Sequence, residues 1–435
     1  MVNVAKVFST LGNPDSLIPL AIKDSASTAG MTAGSYMTGK EEGHDRFIDE
    51  VGTEAIWLGG LPFFKWGYDK VAFKILGLDS KFDARNLKDK KILEKIKEYS
   101  PTDEIKKEIE KISKREKTFK KAATGRFLIS TALTIGTYIG LTKYKQYYTD
   151  KKIRQNLIKE YQDSQAKKAD NNTKDKSNPS FKGIGSTIES IAFSPVKNMW
   201  VLDGAITAER LADSRSNQEL VGYAIKEASL LFFMYYAGDK IKEMFEHFVE
   251  KKHNLSIHLD ARVLEDDLIK NAFKDGSIVK NIEQFNAVQN SNVDLYEFLH
   301  KNPDNLIVKS AKISDIIKTY KEPQGLFKKA KDTGKIDTRK FIDLEDIKGV
   351  KNNLEKLYNQ YKDALAKGMK EDDFFNKVKK YKRSSIITGL GSCMFALGVL
   401  TPAVMLLNRM ASDDNQEFET KKRIREQLIK EGIIA

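Results

Sequence analysis

The chain is short of the residues that cross-link proteins or hold metals. One of its 435 residues is cysteine, Cys393, which excludes an intrachain disulfide and any thiolate metal cluster. Cys393 sits in the middle of an apolar run with no sequence-local histidine to activate it, so packing explains it. Histidine is scarce too, at five. Three of them, His247, His253 and His258, lie near Glu246 and Asp260, but spacings of six and five residues do not share one helix face. They read as exposed side chains rather than metal ligands.

Catalytic and nucleotide-binding motifs are missing as well. There is no Gly-x-x-x-x-Gly-Lys-Ser/Thr loop, no His-Glu-x-x-His and no strand-bounded Gly-x-Gly-x-x-Gly. Gly183-Ile-Gly-Ser-Thr lacks both the lysine and the preceding strand, and no nucleophile elbow is visible. Asp332 to Asp337 has the outline of a calcium loop. Aligned on Gly334, however, it places Lys329, Lys331 and Lys340 where oxygen ligands are required. The expectation is a non-enzymatic protein with no catalytic, cofactor-binding or metal-ligating residue. The first residues hold no cleavable signal, since Asn13, Pro14 and Asp15 interrupt the apolar pattern before a continuous hydrophobic region forms.

What the chain does have is charge. Charged residues make up 31 % and hydrophobic ones 40 %, with mean hydropathy −0.47, too apolar for one long disordered chain. The formal net charge of +13 favours anionic neighbours. Acids are interleaved with the lysines and no aromatic platform accompanies them, which disfavours nucleic acid.

Two apolar stretches stand out. Residues 384–407 carry no charge over 24 positions, about 36 Å as a helix, enough for a bilayer core of about 30 Å. Lys377, Lys379, Lys380, Lys382 and Arg383 crowd its entrance, and Pro402 is tolerable in a spanning helix. Residues 127–142 are shorter, between Arg126 and Lys143, and continue into Tyr144, Tyr147 and Tyr148. Their Gly136-xxx-Gly140 spacing allows close helix contact. Both stretches read as membrane-spanning, with a buried helix of a soluble bundle as the rival.

The sequence also matches itself. The segment from Val51 aligns without gaps with that from Val221, with Gly52 answering Gly222, Asp69 answering Asp239 and Lys70 answering Lys240. Asp83-Ala-Arg85 answers Asp260-Ala-Arg262, Arg126 answers Arg383, and Lys152 to Glu160 resembles Arg423 to Glu431. These matches, in one order, predict a tandem duplication: a first helical unit over 1–165, a polar linker over 166–182, and a second unit over 183–435 with an insert at about 266–350. The repeated Gly52, Asp69, Lys70, Asp83, Arg85, Gly222, Asp239, Lys240, Asp260 and Arg262 are expected in structural roles, as caps or ion pairs. Glu54 and Lys226, charges inside aromatic stretches, become functional suspects if those stretches lie in lipid.

Within the first unit, Ile92, Ile96 and Tyr99, then Ile105, Ile109 and Ile112, form an amphipathic helical stripe. Ser100-Pro101 followed by Asp103 and Glu104 predicts a helix start. The fold class expected is therefore mainly α, a duplicated helical unit with spanning helices. The expected function is an integral protein of a microbial cell membrane that anchors or organises it, meeting lipid and its anionic headgroups, with a protein partner at the insert. A small transporter or pore, and a soluble helical interaction protein with a buried hydrophobic seam, are the alternatives. Oligomeric state is not legible.

Overall fold

The computed structural model describes residues 3–163, 194–214, 217–288, 291–324, 328–410 and 416–434. The expected linker at 166–182 and Gly183-Ile-Gly-Ser-Thr lie outside the described residues. Helices account for most of the described residues, which also hold one two-stranded hairpin.

Helices α1 (Val4–Gly12) and α2 (Leu17–Thr38) each begin on a capping side chain, Asn3 and Ser16, which accept from the Lys6 and Ile18 amides. Helix α3 runs over 40–76 as one rod with π-helical turns at Ile56–Gly60 and Asp69–Phe73. It stops at Gly77, whose φ of 60° suits a glycine C-cap. Next come α4 (Lys90–Glu98), α5 (Asp103–Lys114) and α6 (Glu116–Asp163), whose 48 residues reach about 72 Å. Helix α7 (Pro195–Ala212) starts on the Ser194 cap with proline in its first turn. Helix α8 covers 217–253 with a π-helical turn at Phe233–Ala237.

Five short helices follow: α9 (Ala261–Glu265), α10 (Asp267–Lys274), α11 (Ser277–Asn286), α12 (Asn292–Lys301) and α13 (Leu306–Ile313). Strands β1 (Thr319–Glu322) and β2 (Lys331–Ile336) pair antiparallel, Thr319 opposite Ile336 and Lys321 opposite Asp332. The segment with the outline of a calcium loop is thus mainly strand. Helix α14 (Leu344–Ala366) precedes α15, which covers 371–410 with a π-helical turn at Ala396–Leu400, and α16 (Gln416–Lys430) follows.

The α4–α5 corner departs slightly from its sequence signal. Thr102, not Ser100, caps α5, accepting from the Ile105 amide at 3.3 Å, while Ser100 donates back to the Ile96 carbonyl at 2.9 Å. Asp103 and Glu104 occupy the first turn, where acids suit the helix dipole. Ile96, Ile105, Ile109 and Ile112 are buried as their spacing predicts, with Leu93 taking the place expected for Ile92.

Three apolar clusters lie along α6. Its start, with Phe119, Ala122 and Ala123, enters the largest cluster, with Phe73 and Phe82 edge-on to Phe119. Its middle contributes Tyr138 to a second cluster with Leu20, Trp57, Met199, Leu202 and Leu397. Its end packs Ile153 and Leu157 on Ile424 and Leu428 of α16. The segment expected as an insert, 266–350, is no loose appendage. Ile278, Phe285, Leu299, Ile307 and Ile347 are fully buried in the largest cluster beside Ile96 and Ile112.

These packings correct the expected fold class. The chain is mainly α, but it is not a tandem repeat of spanning units. All three clusters draw on both halves of the sequence, so neither half closes a core alone. Among the described residues one helical stretch, Glu371–Asn408, is long and apolar enough to cross a membrane, and it is partly buried against α2 and α8. Residues 127–142, its expected counterpart, form the middle of α6, where Tyr138 is buried against Arg210 and the buried Thr134 hydroxyl donates to the Ser130 carbonyl.

A buried charge network as the candidate functional site

The centre of the bundle, where α2, α3, α6, α7 and α8 meet, is ionic. Lys226 is 2 % exposed, and its Nζ donates to Glu50 Oε1 at 2.7 Å and Oε2 at 2.8 Å, with Glu227 at 3.5 Å. Arg210 is the second hub. Its guanidinium pairs with Glu227, lies 3.4 Å from Asp49 Oδ2, and donates to Thr53 Oγ1 at 3.1 Å and to the Tyr138 hydroxyl at 2.7 Å. Arg46 approaches Glu50 at 3.4 Å and Asp49 at 3.8 Å, and Lys145 lies 3.7 Å from Asp49. Thr207 donates to Glu227 at 3.1 Å.

Local sequence explains each position. Arg46, Asp49, Glu50 and Thr53 recur at spacings of three and four on α3 and so share one face. Lys226 and Glu227 sit mid-helix on α8, and Arg210 lies in the last turn of α7, where a cation complements the dipole. Apolar side chains seal the network, with Trp57, Leu202 and Leu230 beneath it.

Carboxylates outnumber the cations here. Asp24, Asp203 and Glu54 face a void of about 20 Å³ together with Glu50, Arg210 and Lys226. Asp203 accepts from the Tyr235 hydroxyl, and Glu54 from Ser25. Neither Asp24 nor Asp203 has an ion pair among the described residues. Burial, reinforced by Glu50 and Glu54, pushes the Asp24 carboxyl up to about 7. Burial likewise raises Asp203 well above the carboxylate range, against the Tyr235 hydrogen bond. Glu209, near the end of α7, is raised to about 7 by burial and by Asp213. Asp49 goes the other way: burial opposes it, but Lys145 and Arg210 together hold it below its ordinary value. The arrangement can bind protons near neutrality. Its Ser25 and Thr207 hydroxyls are tied to the carboxylates of Glu54 and Glu227, and its void has room for about one water.

The sequence-predicted positions lie elsewhere. Asp83 accepts from the Arg85 amide at 2.9 Å and pairs with its guanidinium at 2.7 Å. Asp260 accepts from the Arg262 amide at 2.8 Å and from Ser9 Oγ at 2.6 Å, while Arg262 reaches Asp315 at 2.8 Å. Asp337 and Arg339 form a third turn of the same kind, with the Asp83 amide donating to the Arg339 carbonyl at 2.9 Å. Asp69 accepts from Arg126 at 3.3 Å; Lys70 is exposed, Lys240 pairs with Glu243 at 2.6 Å, and Asp239 edges a small cavity beside Lys23.

Gly52 sits against Leu141, where a Cβ would stand 2.6 Å from Cδ2, and Gly222 faces Met405 at 3.5 Å. Among the described residues nothing lies within 4 Å of a Cβ placed at Gly136 or Gly140. The close crossing occurs instead at Gly30-xxx-Gly34: a Cβ on Gly30 would collide with the Gly398 carbonyl, and one on Gly34 would lie 3.5 Å from Pro402.

Lys226, one of the two suspects, is central to the network, while Arg210, Asp49, Glu50 and Asp203 gave no signal in the sequence. The histidines behave as side-chain partners: His258 Nδ1 lies 3.2 Å from Glu246, and His253 Nε2 2.9 Å from the Tyr381 hydroxyl. Among the described residues no group of three or more His, Cys, Asp or Glu side chains is arranged to hold a metal. Cys393 is fully buried against Gly238, and burial raises its thiol.

The network overturns the expected membrane protein, its location in a microbial cell membrane, and lipid or anionic headgroups as partners. Charge inside a bilayer is expensive. Yet the segment from Val221 is tied by Lys226 to Glu50, and the segment 127–142 by the Tyr138 hydroxyl to Arg210, deep inside the bundle. Comparison with known protein families, with curated proteins and with solved structures finds no match for this chain.

Proposed function

We propose that this chain is a non-enzymatic helical interaction protein, soluble and folded around a buried apolar seam. The observation that supports it is the state of the ionisable groups. Asp24 and Asp203, buried and raised, face a void of about 20 Å³, room for one water rather than a substrate, beside the ion pairs of Arg210 with Asp49 and of Lys226 with Glu50. The seam of Leu20, Trp57, Tyr138, Leu202 and Leu397 closes the bundle over them.

The surface fits the same reading. Phe63 and Trp66 stack 6.2 Å apart on the outside of α3, and Val399, Val404 and Leu407 are exposed along α15. Exposed apolar area of this kind suits contact with a protein partner. The docked segment 266–350 adds a second surface, the lysine-rich hairpin of β1 and β2.

The test is purification of the full chain without detergent, followed by size-exclusion chromatography with light scattering and hydrogen exchange. A single species of defined mass, with slowest exchange around Lys226 and Tyr138, supports the reading. A chain that stays monodisperse only in detergent, or that partitions with lipid vesicles, refutes it.

A further inference from the structure

A cavity near the end of the bundle lies away from the charge network, between the α2–α3 corner and the outer half of α6. It holds about 360 Å³, within the range of small-molecule sites. Tyr36 and Tyr148 form its aromatic walls, and Lys40, His44 and Lys152 bring its cationic groups. The walls are fixed. Tyr36 lies flush on Gly43, where a Cβ would collide with its ring, and the His44 ring lies tilted beside Tyr148 with centroids 5.8 Å apart. The donors are grouped: Tyr148 OH lies 3.5 Å from His44 Nε2, and Lys152 Nζ lies 5.1 Å from the Tyr148 ring centre.

The one acid with a described side chain in the lining, Asp45, is already engaged. Thr149 donates to it, and Lys145 lies 3.8 Å away. What remains is a recess with two lysine ammonium groups, an imidazole and a phenol facing the same space. Lysine ammonium groups act as point charges that suit the oxygens of a phosphate, and among the described residues the recess brings two of them and an imidazole together. A bare phosphate would also leave most of the aromatic-walled volume empty.

We propose that this cavity binds a small organic phosphomonoester, its phosphate held by Lys40, His44 and Lys152 and its organic part against Tyr36 and Tyr148. The test is titration calorimetry of the full chain at low ionic strength with phenyl phosphate, with inorganic phosphate and phenol as comparisons. One saturable site for phenyl phosphate, weaker binding of inorganic phosphate and none of phenol are expected. Lys152→Glu and His44→Gln should each weaken phenyl phosphate by about tenfold or more, close to 1.4 kcal/mol. Lys152 is exposed, so its variant should keep the wild-type circular dichroism and melting curve. If Lys152→Glu proves unstable, His44→Gln alone decides. Three results overturn the proposal: no saturable binding of phenyl phosphate; phenol binding as well as phenyl phosphate; or binding unchanged in both variants, which would assign it to the general positive charge of the chain.

Discussion

The sharpest consequence of the network concerns Lys226. Its ammonium is 2 % exposed and 2.7 Å from a Glu50 oxygen, itself on a residue only 5 % exposed. At an effective dielectric of about 20 the attraction across that distance is about 6 kcal/mol, most of it offset by taking both ions out of water. Replacing Lys226 by Met keeps the stem and deletes the charge. It leaves Glu50 buried with Arg46, 3.4 Å away, as its nearest cation, and Glu227 without its 3.5 Å neighbour. Removing one partner of a buried pair costs about 3–5 kcal/mol, a large part of the roughly 5–15 kcal/mol that holds a domain folded.

A double-mutant cycle separates that cost from the net worth of the pair. Glu50→Met alone should cost about as much as Lys226→Met, while the double variant should lie within about 2 kcal/mol of wild type, because two apolar side chains replace two ions. Urea melts followed by far-UV circular dichroism at pH 7 measure all four chains. If Lys226→Met falls within about 1 kcal/mol of wild type, or the two single losses simply add, the pair is solvated in solution and the burial argued here is wrong.

The remaining predictions follow from burial and geometry. A carboxyl whose folded pKa lies above its unfolded one adds stability below the unfolded value and loses it as pH rises through the folded one. Asp24, raised from 3.8 to about 7, should therefore cost the wild type stability between about pH 4 and pH 7. The full shift corresponds to at most about 4 kcal/mol, and partial exposure of Asp24 reduces it to about 2. Asp24→Asn should flatten that slope in melts across pH 4 to 8, and an unchanged slope would reject the assignment. Gly30→Ala drives a methyl into the Gly398 carbonyl, so it should destabilise by about 1–3 kcal/mol or more, whereas Gly136→Ala should cost nothing; equal effects would place the close crossing elsewhere. Phe119→Ala removes a fully buried ring packed against Phe73 and Phe82, with an expected loss of about 3–5 kcal/mol by urea titration. A loss under about 1 kcal/mol would mean that the largest cluster is not the folding core.

Some of this was legible from local pattern. The stripe of Ile105, Ile109 and Ile112 gave both the helix and its buried face, and the Asp-Ala-Arg triplets gave capped turns. What local pattern cannot give is the partner across space. Glu50 and Lys226 stand 176 residues apart and Asp49 and Arg210 stand 161 apart, and no spacing rule connects them. The same limit explains the spanning helices. Length and apolarity of 384–407 are properties of the segment, whereas Gly398 against Ala26 and Gly389 against the Gly238 carbonyl are properties of the fold. The two Gly-xxx-Gly pairs make the point again: Gly136 with Gly140 and Gly30 with Gly34 carry one signal, and only the second meets another helix backbone.

The position of the ions between the apolar clusters suggests why charge is kept in the interior at all. Between helices α2, α3, α6, α7 and α8 the Leu, Ile and Met contacts alone would penalise a slip of one turn only modestly, since volume-conserving apolar exchanges cost little. Ion pairs do not tolerate such a slip. A displacement of one turn, about 5.4 Å, would carry Lys226 away from Glu50 and Arg210 away from both Asp49 and Glu227, leaving several buried charges without partners at once. Each correct pair adds little net stability, but every wrong register is penalised heavily. On this argument the network favours one arrangement of the bundle, and with it the placement of the Tyr36–Tyr148 recess.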